Sequence, residues 1–127
     1  KLIQTRLNSP TIVGNCFPTV IACFMDLDSA EDAFQVQEHY DGDDWGDKLD
    51  NWLTQQGWEL GNKSDGHTLD SDEFYMVSGV SPRNPDTTHI CIYQRGKLWH
   101  DPHPTGAGIL TEDYFYYLTN NNNNGKK

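Results

Sequence analysis

The strongest constraint on the fold is a change of hydrophobic period midway along the chain. In the first half Cys16, Val20, Cys23, Phe24 and Leu27 recur at helical spacing, and Pro18 falls in the first turn, where a missing N–H costs nothing. A second helix is expected from Trp45: Trp45, Leu49, Trp52 and Leu53 share one face, Asp44 occupies the N-cap position, and Gly57 sits where a terminating glycine belongs. In the second half the runs Phe74 to Val77, His89 to Tyr93 and Lys97 to His100 are short and rich in aromatic and β-branched residues, as strands are. Helices followed by strands predict an α+β fold, with N-terminal helices packed on an antiparallel β-sheet.

The intervening segments are less regular. Lys1 to Gly14 reads as an extended lead-in, Ser29 to Asp44 as an acidic stretch with a short helical turn near Ala33 to Val36, and Asn62 to Asp72 as a polar loop. Tyr114 to Leu118 suits either an edge strand or a short helix on the sheet. The polar tail Asn120 to Lys127 has nothing to bury, so the expected organisation is one domain over residues 1–119 and a disordered tail over 120–127. A 35% apolar fraction that includes fifteen aromatic side chains is enough to build a core in 127 residues without cross-links.

Charge narrows the partners. Nine basic against nineteen acidic residues leave a net charge of −10, which repels phosphate backbones and anionic membranes and favours a basic protein or peptide. Neither nucleic acid nor a membrane is expected as a ligand, and no apolar run reaches membrane-spanning length. Three cysteines cannot all pair within one chain and no secretory signal is legible, so free thiols in a cytoplasmic setting are expected.

The chemistry centres on Asn15-Cys16. A cysteine at a helix start lies near unpaired N–H groups and the positive end of the macrodipole, both of which favour thiolate. Downstream come His89, opening a strand, and Asp101, within His100-Asp101-Pro102-His103-Pro104. If Gln94-Arg95-Gly96 is a three-residue loop with Gly96 left-handed, residue 93 pairs with 97 and His89 faces Asp101, while Ile90, Ile92 and Leu98 share the other face. A two-residue Arg95-Gly96 loop would instead set Asp101 beside Ile90. The first register has the cleaner apolar face and makes Asp101 the orienting acid for His89. Asp101 before Pro102 also suits a turn residue bonded to its own backbone.

Gln4-Thr5, Gly14-Asn15-Cys16 with the helix after it, Thr88-His89, and His100-Asp101-Pro102-His103-Pro104 together resemble small papain-fold proteins of phages and bacteria, similar in layout to the bacteriocin-processing, double-glycine peptidases. The resemblance covers roughly residues 1 to 118 and implies a papain-like cysteine peptidase fold with Cys16 as nucleophile, His89 as base and Asp101 as orienting acid. It further implies an oxyanion hole from the Cys16 N–H with Gln4 or Asn15, no cofactor, and a host cytoplasm if phage-encoded. Gln4 by itself reads better as an ordinary polar residue of an edge segment. The implied reaction is cleavage or transfer at an amide, isopeptide or thioester by a thiol protease or amidase. The alternative is a binding protein on the same fold that blocks a host or defence factor stoichiometrically through its acidic surface.

Cys23 and Cys91 fall in apolar runs and read as core. His100 and Asp101 are adjacent and point to opposite sides of an extended chain, so His100, Asp101 and His103 do not easily converge on a metal. His39 and His67 lie in polar loops, and Asp41 to Asp50 lacks the ligand spacing of a calcium loop. The substrate pocket is expected from the loops Gly79 to Thr88 and Thr105 to Gly108, whose glycines suit either close approach of a substrate backbone or plain turns.

Overall fold

The computed structural model describes residues 2–8, 14–63 and 73–120. Helix α1 (Cys16–Phe24) is shorter than the hydrophobic spacing predicts, because Asp26 adopts a left-handed conformation at φ 59°. The Asp26 N–H then donates to the Cys23 carbonyl and the Leu27 N–H to that of Ala22, a Schellman closure that turns Leu27 into the core instead of extending the helix. Two short 3-10 turns follow, Ala30–Asp32 and Val36–His39, on either side of much of the predicted Ala33 to Val36 turn. Ser29 caps the first by accepting from the Glu31 N–H. Helix α2 (Trp45–Gln55) begins and ends where its pattern places it, with Gly57 left-handed at φ 81°. Asp44 stands at its N-cap but makes no side-chain capping bond, and its carboxylate faces Lys48 instead.

Five strands form one antiparallel sheet: β1 (Trp58–Lys63), β2 (Phe74–Val80), β3 (Thr88–Gln94), β4 (Lys97–His100) and β5 (Tyr114–Asn120), in spatial order β1-β5-β2-β3-β4. Two results differ from the sequence expectation. Strand β1 alternates only as far as Trp58 and Leu60 and is defined by its pairing, along its own whole length, with residues 115–120 of β5. Strand β5, anticipated as an edge strand or helix, lies between β1 and β2 and takes in Asn120. The tail 121–127, the lead-in residues 9–13 and most of the polar loop, residues 64–72, lie outside the described residues.

Both faces of the sheet are covered. On one, Val20 of α1 packs against Met76, Ile90 and Ile92; beside it Ile21 and Ala22 meet Leu49 and Leu53 of α2 with Ala33 and Val36. Each of the Val, Ile, Leu and Met side chains contributes ~1.5–3 kcal/mol on burial. On the other face Tyr75, Val77, Cys91 and Tyr93 pack with Phe115 of β5 and are roofed by Ile109. Gly79 permits that roof: a Cβ there would lie 1.7 Å from the Thr111 carbonyl oxygen.

The β3–β4 hairpin corrects the predicted register. Gln94 pairs with Lys97 and Tyr93 with Leu98 across a two-residue turn, with Arg95 at φ 55° and Gly96 at φ 77°, the type I′ geometry that matches strand twist. Leu98 therefore joins the Tyr93 face rather than that of Ile90 and Ile92. Left alone, this register would also turn Asp101 away from His89, since a one-residue slip exchanges the two faces. A β-bulge intervenes: the next pair is Ile92 with His100, one residue further along β4, which restores the parity and returns Asp101 to the face of His89 and Cys91.

Candidate active site

Cys16 opens α1, and the local sequence explains its accessibility. The preceding Asn15 is fully buried, and its carbonyl accepts from both the N–H and the hydroxyl of Thr19, which anchors the first turn. The Asn15 side chain bonds outward from the helix: Oδ1 accepts from the Arg6 N–H, while Nδ2 donates to Thr5 Oγ1 at 2.8 Å and to Gln35 Oε1 at 3.2 Å. No side-chain cap covers the helix start, so the positive end of α1 opens beside a half-buried thiol.

His89 is 4% exposed and its Nε2 lies 2.6 Å from Asp101 Oδ1. The imidazole also contacts the thiols of Cys16 and Cys91. Burial opposes its charge, but the Asp101 carboxylate and the two thiols outweigh it and push the imidazole well above its ordinary value. Asp101 is likewise buried, which favours its neutral form; His89 and the backbone N–H groups of His103 and Gly108, at 2.8 and 2.7 Å, overcome this and hold the carboxyl low. Gly108, anticipated near a substrate, serves the carboxylate instead. Burial pushes the Cys91 thiol up, against the pull of His89.

The two thiols beside His89 differ in access. Cys91 is fully buried two residues along β3, on the same face as His89, a spacing that made the contact legible in principle. Cys16 lines an open cleft of about 470 Å³ with Phe17, Tyr40, Trp45, Asp86, His89 and Tyr116 among its walls. The segment Asp86 to Thr88 contributes as expected, whereas the lining includes no residue from Thr105 to Gly108. Tyr40 and Trp45 went unread in the sequence because nothing local ties them to Cys16.

The two amides expected in an oxyanion hole are committed elsewhere. Asn15 holds the Arg6 segment against the Ala30–Asp32 and Val36–His39 turns. Gln4 donates from Nε2 to the Arg6 carbonyl, its backbone N–H bonds the Pro102 carbonyl, and it is absent from the cleft lining. At the start of α1 the N–H of Thr19 is already used by the Asn15 carbonyl and Pro18 has none, so Cys16 and Phe17 carry the first-turn N–H groups without an intrahelical acceptor. The remaining histidines also have structural partners: His100 Nε2 meets the Leu2 carbonyl, His103 Nδ1 meets Thr105, and His39 stacks on Phe34 at 5.0 Å. His67 lies outside the described residues.

His89, Cys91 and Asp101 present ligand atoms within 4.8 Å of one another, a spacing that would suit a metal. An ion there would have to break the 2.6 Å His89–Asp101 bond and draw Asp101 from two backbone donors, so the trio fits a proton-sharing unit better. Among the described residues no helix is long and apolar enough to cross a membrane. No family model matches the chain, and no curated protein and no solved structure matches it.

Proposed function

We propose that the protein is a cysteine-nucleophile hydrolase or acyl transferase in which Cys16 attacks, His89 moves the proton and Asp101 orients the imidazole. One observation carries the reading: a half-buried thiol at an uncapped helix start lies beside an imidazole whose Nε2 is bound by a buried carboxylate. Cys91 touches the same ring, but its full burial leaves no room for an acyl group. In the reaction the Cys16 sulfur, its proton passed to His89, bonds to the acyl carbon and the carbonyl electrons move to oxygen. Backbone N–H groups at the start of α1 receive that oxyanion. Collapse expels the amine or thiol, which takes the proton from His89; water, or an acceptor amine, then gives a proton to His89 as it displaces the Cys16 thioester. Asp101 stabilises the charged imidazole throughout without taking its proton.

The order of the parts supports a papain-like peptidase of the small phage and bacterial type acting on a protein or peptide in the cytoplasm: cysteine opening a helix, histidine near the start of a strand, and an Asp-Pro acid after the next strand. The test is the rate of iodoacetamide labelling at each cysteine, read by peptide mass spectrometry on the native protein and on His89→Ala and His89→Gln, with circular dichroism to verify folding. Cys16 is expected to react ahead of Cys23 and Cys91 and to slow in the folded His89 variants. A Cys16 rate no greater than that of Cys23, or indifferent to His89, overturns the assignment and turns attention to stoichiometric binding, an effect that Cys16→Ala would retain.

A further inference from the structure

Of the two thiols beside His89, Cys16 attacks and Cys91 has no part in that reaction. Cys91 pairs with Val77 of β2 and is fully buried among Tyr75, Val77 and Tyr93, neighbours that ask only for an apolar side chain of about its size. Its sulfur nevertheless lies within 4.8 Å of both a His89 ring nitrogen and an Asp101 carboxylate oxygen. An ionised carboxylate offers about four acceptor positions. Asp101 Oδ1 accepts from His89 Nε2 at 2.6 Å and from the His103 N–H at 2.8 Å, and Oδ2 accepts from the Gly108 N–H at 2.7 Å. The fourth position is on Oδ2, and Cys91 is the side chain of the clustered trio that has a proton to offer it. Burial, joined by the Asp101 carboxylate and opposed by His89, keeps this thiol protonated. A charged imidazole donates from both nitrogens and accepts from neither, so the S–H beside it has the carboxylate as its acceptor.

Resting on the reading of Cys16 as nucleophile, we propose that Cys91 is a positioning residue: its S–H donates to the Asp101 carboxylate and completes the set of donors that keeps Oδ1 aimed at His89 Nε2. The His103 and Gly108 donors both come from the chain after β4, whereas Cys91 stands on β3, two residues from His89. The thiol therefore ties the acid to the strand that carries its imidazole. A thiol is a weak donor, so it holds the carboxylate while leaving most of the negative charge for the imidazolium. Its bulk also fills the buried side of the pair, where a water would compete for Oδ1.

Two measurements on the full chain test this, each with folding verified by circular dichroism. With Cys16→Ala and Cys23→Ala combined, Cys91 is the sole thiol of the chain, and its infrared S–H stretch is expected below that of free cysteine in the same buffer. A band at or above the free-cysteine frequency overturns the bond to Asp101. The role is read from the pH at which Cys16 alkylation by iodoacetamide reaches half its plateau in Cys91→Ser, Cys91→Ala and Cys91→Val. Cys16 of α1, and Asp101 and His103 after β4, face the same ring and are unchanged in all three. Without the donor the imidazolium is held less firmly, so the midpoint should rise by about half a unit or more in the Ala and Val variants. Cys91→Ser restores a donor and should stay near the native midpoint, although a hydroxyl is the least favourable of the three replacements for an apolar cluster. Equal midpoints in all three variants, or a Ser midpoint displaced furthest, make Cys91 a packing residue and overturn its positioning role while the nucleophile stands. A native Cys16 that reacts no faster than Cys23 overturns the nucleophile and the role of Cys91 together.

Discussion

His89 Nε2 and Asp101 Oδ1 lie 2.6 Å apart with both side chains buried, although the hairpin turn that joins their strands sets a register that would separate them. The β-bulge between the turn and the site reconciles the two. A buried pair of this kind costs desolvation to assemble and far more to leave half-made.

Removal of the acid should therefore be severe. Asp101→Ala strands the His89 imidazole and leaves the His103 and Gly108 N–H groups without their acceptor. A loss of about 3–5 kcal/mol is expected in urea denaturation. A change below about 1 kcal/mol would mean that the pair contributes little beyond ordinary surface bonding.

The same pair sets a pH window. His89 is raised to about 11, so its stabilising contribution is complete below the unfolded value of ~6.5 and is lost as pH rises toward 11. Asp101 is lowered to about 2, so its contribution is complete above ~3.9 and is lost as pH falls toward 2. The difference in unfolding free energy between the native protein and Asp101→Asn should be greatest between pH ~4 and ~6.5 and shrink on both sides. A difference that keeps growing above pH 8 contradicts a charged imidazole in the fold.

Asn15→Ala should cost stability through lost hydrogen bonds. It orphans the Arg6 N–H at a fully buried position and leaves Gln35 Oε1 with Gln37 Nε2 as its donor, worth about 1–3 kcal/mol. Arg6, whose guanidinium also bonds Glu31 and Glu38, should become more accessible to hydrogen exchange along its segment. Unchanged stability and exchange would return the Asn15 amide to consideration as an oxyanion donor.

Gly79→Ala tests the roof over the far face of the sheet. The new Cβ would collide with the Thr111 carbonyl, a backbone atom in a loop tied down by Leu110 N–H to Val80 O and Asp113 N–H to Ser78 O. Overpacking of about 1–3 kcal/mol is expected from thermal denaturation, with enhanced proteolysis in residues 109–113. A neutral Tm would show that this loop yields without cost.

Local physics in the sequence determined much of this molecule. The helical stripe of α1, the glycine after α2, the aromatic strands β2 to β4 and the placement of a cysteine at a helix start all depend on residues within a few positions of one another. Other features needed distant partners. Trp58–Lys63 becomes a strand only because β5 pairs with it, and β5 becomes internal only because β1 and β2 flank it. The roles of Asn15 and Gln4 were decided by Arg6, Thr5 and Gln35, which tertiary folding brings to their amides. Sequence spacing set His89 on β3 and Asp101 just past the end of β4, but whether they share a face depended on one extra residue in β4. A bulge has no local signature that separates it from a regular strand; its conformation is selected by what the whole sheet packs against.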